Sequence, residues 1–266
     1  TDAALQEARI VFADFLNAYP EELAFGQNMT SLVMHLSRSL GRSLKSGQRI
    51  LVTELDHHAN VDPWIEMAND RNLEVNHIRM IPETGQLDWD HFEELLDTDV
   101  GLVAIGAASN ALGTINDVRQ ACRMSHQVGA RIFVDAVHYA SHQLIDVKAI
   151  GCDFLACSPY KFYGPHLGVL YIKNQHVDNL QTPRLQPAPN YGGERFETGT
   201  LSHEAIVGAA AAVNFLADLH PEPTLPRRLR LQLVYDTLHD RSHALFAQLW
   251  EALGVLATTI RFGPDL

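Results

Sequence analysis

The sequence predicts an α/β protein of three layers, with helices on both faces of a mostly parallel sheet. Two observations predict it. Short β-branched and apolar runs alternate with longer stretches of helical pattern along the chain. The runs are also apolar almost without interruption, as in GLVAIGA at 101–107, so each strand is expected to be buried on both faces. No internal repeat or low-complexity tract competes with this layout.

Each element has a local reason. Leu5, Ile10, Val11, Phe12 and Phe15 sit near helical spacing at the start. QRILVTEL at 48–55 reads as a strand, and 61–72 as a helix with Pro63 in its first turn, where a missing N–H costs little. A second strand is expected at 75–80, a turn at Pro82–Gly85 and a short helix at 90–96. GLVAIGA is the third strand; a helix over 117–128 follows, closed by Gly129. Strands are then expected at 131–137, 153–157 and 168–173. An Ala-rich helix covers 202–219 and another 227–253, with Pro221, Pro223 and Pro226 between them. This suggests residues 1–220 as one large domain and 221–266 as a connecting helix leading into a second, smaller one. With no opening Met and an apolar stretch just before Leu266, the sequence reads as the central part of a longer protein, its N-terminal end and small domain truncated.

Composition narrows the function. Twenty Lys and Arg against thirty-two Asp and Glu give 20 − 32 = −12, which argues against a nucleic-acid partner, since that needs a basic face. No apolar run reaches the roughly 18–20 residues of a membrane span, so no membrane partner is expected. Cys122, Cys152 and Cys157 form no CxxC pair, which suits a reducing compartment such as the cytoplasm.

Common cofactor motifs are missing: there is no GxGxxG, no GxxxxGK[ST] and no GxSxG. His138 with His142, and His239 with His243, have HxxxH spacing but lack the Glu of HExxH, so no metal is expected. Ser158 and Lys161 form an SxxK, yet Gly164-Pro165 would break the helix that motif needs, and its SDN and KTG partners are absent.

In parallel sheets, ligands bind at the carboxyl ends of strands, which singles out His57, Asn110, Asp135, His138 and the Ser158–Lys161 turn. Asp135 ends an apolar strand, where a carboxylate needs a positive partner or caps the next helix. Lys161 lies among Tyr160, Phe162 and Tyr163, so its amine is either desolvated and nucleophilic or snorkels to the surface. Together, an anion and a desolvated amine at two strand ends are what a pyridoxal phosphate site needs: the amine forms a Schiff base and the carboxylate keeps the pyridine nitrogen protonated. The stretch FGQNMTS at 25–31 offers either a phosphate cradle at a helix start or a plain N-cap.

These residues resemble a known family. VDAVHYA, then SPYKFYGP with its lysine 161 − 135 = 26 residues after the aspartate, is similar to class V aminotransferases of pyridoxal phosphate fold type I, above all the cysteine desulfurase and selenocysteine lyase branch. LDHHANVDPW, ASNALGT and RFETGT match in the same order. The resemblance implies pyridoxal 5′-phosphate as cofactor and an amino acid as substrate. It implies Lys161 as the Schiff-base lysine, Asp135 as partner of the pyridine nitrogen and His57 as the imidazole stacked on the ring. His138 and Asn110 would contact the phenolic oxygen. Met29, Thr30 and Ser158 would hold the phosphate, and Thr200 would reach the phosphate of a partner subunit's cofactor, implying a homodimer with its sites at the interface. The family's catalytic Cys and carboxylate-binding Arg belong to a C-terminal region beyond this chain, and Tyr160 stands where the family often has His. A class V aminotransferase, an isopenicillin N epimerase-like enzyme and a non-catalytic fold-type I fragment are the alternatives.

Overall fold

The computed structural model describes residues 2–255. In chain order its strands are β1 Leu23–Gly26, β2 Arg49–Thr53, β3 Glu74–Ile78, β4 Met80–Ile81, β5 Gln86–Leu87, β6 Val100–Gly106, β7 Arg131–Asp135, β8 Phe154–Cys157 and β9 Gly168–Ile172. Its helices are α1 Asp2–Leu16, α2 Met29–Gly41, α3 Asp62–Arg71, α4 Trp89–Leu95, α5 Val118–Gln127, α6 Val147–Ile150, α7 Asn174–Val177, α8 His203–Asp218 and α9 Arg227–Val255. Seven strands form one sheet in the order β1-β9-β8-β7-β6-β2-β3, and β4 pairs with β5 in a small ribbon. Only β9 runs against its neighbours; β8, β7, β6, β2 and β3 are joined in parallel.

Alternation across the pleat explains the continuous apolar runs. Ile132 and Val134 of β7 join the core under α1, α5 and α8, beside Phe12, Phe15, Ala121, Ala209 and Val213. Phe133, between them, faces the opposite core with Leu36, Trp64 and Met67 of α2 and α3. Both faces of each central strand are thus covered, which gives the three layers.

Caps fix the helix starts. Asn28 and Ser31 cap α2 reciprocally, and Asp117, Asp146 and Ser202 accept the third N–H of α5, α6 and α8. Pro63 lies in the first turn of α3, and Gly129 takes a positive φ of 81° just past α5. The structure differs from expectation at two places: β1 is a strand the sequence pattern did not announce, and the strand expected at 75–80 stops at Ile78 and restarts as β4. The four residues of β1 are too few to show a period, and β4 turns away to pair with β5.

At the sheet end where β7 and β8 begin, Asp153 is 2% exposed and fully engaged. Its oxygens meet His126 Nε2 at 3.0 Å and His176 Nε2 at 2.8 Å, and accept the Ile132 N–H at 2.9 Å. Desolvation alone would raise its pKa, but the His176, His126 and Ile132 hydrogen bonds outweigh it and hold the carboxyl below its ordinary value. Such a group stabilises the fold above its unfolded value of 3.8, and that contribution is lost as pH falls through the lower, folded value. Asp153→Ala is expected to cost about 3 kcal/mol, because it strands two imidazoles and a buried amide. Thermal melts at pH 7 check this, and a variant melting within 2 °C of the parent, roughly the shift of a sub-kcal change, would contradict it.

Candidate active site

The carboxyl ends of β2, β6, β7 and β8 open on one cavity of about 190 Å³. Asn28, Met29, Thr30, Asp56, His57, Asn110, Asp135, His138, Ser158 and Lys161 all contribute to its wall. All of the residues singled out in the sequence therefore meet there except Thr200, which is exposed in a separate groove with Arg9, His35 and Tyr191.

β7 delivers Asp135. Its Oδ1 accepts the Val137 N–H at 2.8 Å, its one hydrogen bond among the described residues. Desolvation raises its pKa to about 6, partly offset by that N–H and by the nearby His57. At neutral pH it is thus an anion paired to no described cation.

His57 begins a 3₁₀ turn after β2, and its Nδ1 accepts the Ala59 N–H at 3.0 Å, which orients the ring. Its neighbour His58 points away, 3.1 Å from Asp62, and does not line the cavity. Between β6 and the cavity, the 109–114 turn closes through Gly113 at φ 77° and carries Asn110. His138 has its pKa lowered by desolvation and by the neighbouring His142 and Lys161, so at pH 7 it is the neutral imidazole.

The start of α2 reaches the cavity because two glycines let it. A Cβ on Gly168 would strike the Asn28 backbone, and one on Gly26 would meet Leu32 at 2.6 Å. Met29 and Thr30, the first residues of α2, line the wall, where a helix start brings unpaired N–H groups and partial positive charge.

Lys161 sits in a 3₁₀ turn, Pro159–Phe162, closed by Tyr163 at φ 69°. Here the structure corrects the expected desolvation: Phe162 alone turns into the core, while Tyr160, Lys161 and Tyr163 are exposed. Three residues per turn put neighbouring side chains on different sides, so an aromatic-rich run does not enclose the lysine. Lys161 Nζ lies 5.5 Å from the centre of the Tyr160 ring, which itself stacks on His166 at 5.1 Å.

Sequence reasoning missed Asp56 altogether. It ends the β2 turn one residue before His57, and its Oδ2 accepts the Asn60 Nδ2–H at 3.1 Å. Desolvation, then the Asp135 charge, raises its pKa to about 8, against hydrogen bonds from Thr53, Gly106 and Asn60. The signal is the same as for Asp135, a carboxylate just past an apolar strand, and the two adjacent histidines mask it.

The arrangement fits a pyridoxal phosphate molecule. Asp135 is an anion in want of a cationic partner, the α2 N–H groups suit a phosphate, and a primary amine stands on the rim of the same cavity.

Comparison with known proteins agrees. The family model described as Aminotransferase class-V matches residues 1–249. A cysteine desulfurase of Dickeya dadantii is 33% identical over 232 residues, covering 82% of this chain and 56% of that protein. The apo structure of a cysteine desulfurase from Thermococcus onnurineus superposes with a TM-score of 0.85 at 28% identity, over 99% of this chain and 65% of that one. A cysteine desulfurase structure from Escherichia coli gives 0.76 at 27% identity, over 82% and 58%. The chain thus spans little more than half the length of the curated relatives it matches. Fold, motif order and family match lead to one conclusion: this chain belongs to the class-V aminotransferases, a pyridoxal phosphate-dependent family.

Proposed function

We propose that the chain is the cofactor-binding part of a cysteine desulfurase-like lyase acting on an amino acid. The observation that carries this is the meeting of Lys161, Asp135 and the start of α2 around one cavity. In this reading residues 1–220 are the cofactor-binding domain and 221–266 the connection to a smaller one; residues 256–266 lie outside the described part.

Pyridoxal phosphate, when bound, supplies an aldehyde that condenses with amines and a pyridinium ring that draws electrons from the substrate's Cα. The residues of the chain do the rest. Lys161 would hold the cofactor through its amine and, with His57, would move a proton at the substrate's Cα. Asp135 keeps a proton on the ring nitrogen. Asn110 and neutral His138 donate hydrogen bonds to the phenolic oxygen. Met29 and Thr30, with the Ser158 hydroxyl, hold the phosphate. Thr200 stands outside the cavity, exposed in a separate groove, and its role at the cofactor of a neighbouring subunit, with the homodimer that follows, rests on the family resemblance.

None of the three cysteines is proposed as a sulfur carrier. All are buried, and burial pushes the Cys122 thiol up to about 12 and those of Cys152 and Cys157 well above their ordinary value. Three unpaired thiols support a reducing compartment such as the cytoplasm. Among the described residues no helix is long and apolar enough to cross a membrane.

The test is spectroscopic, then chemical. Pyridoxal phosphate added to the purified protein is expected to give an absorption band at the edge of the visible, and the whole enzyme, given cysteine and a dithiol reductant to take up the sulfur, to yield alanine and sulfide. A band without alanine, but with keto acid or inverted amino acid, would point to the aminotransferase or epimerase alternative. No band with Lys161 intact would overturn the reading.

A further inference from the structure

Two carboxyl groups, not one, reach the cavity floor. Asp56 and Asp135 come from different strand ends, and what brings them together is the missing side chain of Gly106. Gly106 ends β6 and is paired in register with Asp135 on β7. A Cβ there would collide with Asp56 Oδ1, so the Asp56 carboxyl occupies the notch over that glycine, beside Asp135. Asn60 anchors Asp56 from the far side, and Asn60 is itself fully buried, its Oδ1 accepting the Trp64 indole N–H at 3.1 Å. The ionisable groups facing the pair are His57 on the Asp56 loop, Cys157 of β8 near Asp135, and His138 and Lys161 across the cavity. Such a chain, Trp64 to Asn60 to Asp56, is a built support rather than a chance contact.

We infer that Asp56 is a positioning residue: seated over Gly106 and held by Asn60, its carboxyl backs Asp135 and fixes the direction in which Asp135 presents its charge to a bound pyridine ring. This rests on the reading of Asp135 given above. Near neutrality Asp56 carries its proton, so it backs Asp135 without opposing its charge; once ionised, it repels Asp135 across the same floor.

Three variants test it. Asp56→Asn keeps the shape and the neutral charge; Asp56→Ala empties the notch; Gly106→Ala pushes the carboxyl out. At pH 6.5 the Asn variant is expected to bind pyridoxal phosphate within about threefold of the parent. The Ala variant and the Gly106→Ala variant are expected to bind at least about tenfold more weakly, a loss typical of removing a supporting partner. The apoprotein supplies a second readout. An acid whose folded pKa is raised loses stability as pH rises from its unfolded to its folded value. The parent melting temperature is therefore expected to fall between pH 5 and pH 9 more steeply than that of Asp56→Asn. Asp56→Ala binding within twofold of the parent, with parallel melting curves for parent and Asp56→Asn, would overturn the inference. If the parent gives no cofactor band at all, the proposed function fails, while the apoprotein melts still decide whether the two carboxyls are coupled.

Discussion

Lys161→Ala is expected to abolish covalent attachment of pyridoxal phosphate and, in the whole enzyme, to lower turnover by roughly 10³-fold or more, the loss usual when a covalent catalyst is removed. The fold gives this variant an unusual cleanness. Lys161 is exposed, and the turn that carries it is closed by Pro159, Phe162 and Tyr163. Removing the side chain therefore disturbs no core contact and is expected to change stability by less than about 0.5 kcal/mol. Absorption spectra before and after borohydride reduction, beside a thermal melt, read both effects. The phosphate cradle at Met29 and Thr30 remains, so reversible cofactor binding persists in weakened form. A variant that keeps the band would move the attachment point to another amine.

Asp135→Asn is the second large effect, and its two consequences have opposite signs. Turnover is expected to fall by roughly 10²–10³-fold, because an amide does not hold a proton on the ring nitrogen, while the Lys161 attachment survives. Stability is expected to rise. The folded pKa of Asp135 is raised to about 6, so in the parent stability declines as pH climbs from the unfolded value of 3.8 to about 6 and stays lower above that. Removing the charge recovers this at pH 7, on the order of 2 kcal/mol without cofactor. Melts of the apoprotein at pH 5 and pH 7 check the sign: the gain is expected at pH 7 and to shrink at pH 5. An Asn variant less stable than the parent at pH 7 would show that Asp135 is satisfied within the protein and needs no partner from outside. The trade is the usual one, in which a site stores unfavourable electrostatics for use on a ligand.

Much of this was legible in the sequence. β6 and β7 are long enough, and apolar enough on both faces, to announce a central parallel sheet, and the rule that ligands gather at strand ends led to His57, Asn110, Asp135, Ser158 and Lys161. Short segments were less legible. β1 has no period to detect in four residues, and it exists because β9 offers an antiparallel edge at Gly168–Tyr171. Asp56 was hidden by pairwise geometry: its place beside Asp135 depends on Gly106, fifty residues further along the chain, and no local pattern encodes that meeting. The surroundings of Lys161 were misread because composition counts aromatic neighbours, whereas a 3₁₀ turn decides which of them face the amine. Thr200 lies in an open groove outside the cavity, so the geometry of the single chain does not bring it to the other site residues.

The reversal of β9 has a consequence for how the two ends of the cavity are tied together. Because β9 doubles back from β8, a single hairpin of neighbouring residues runs from Ser158 through Lys161 to Gly168, and Gly168 in turn seats Asn28 at the head of α2. The amine and the phosphate cradle are thus spaced by one short link, like two jaws on a common rivet. Lengthening the 163–167 link is expected to shift both jaws at once, and the core of the sheet, clamped at its other end around Asp153, would hardly register the change.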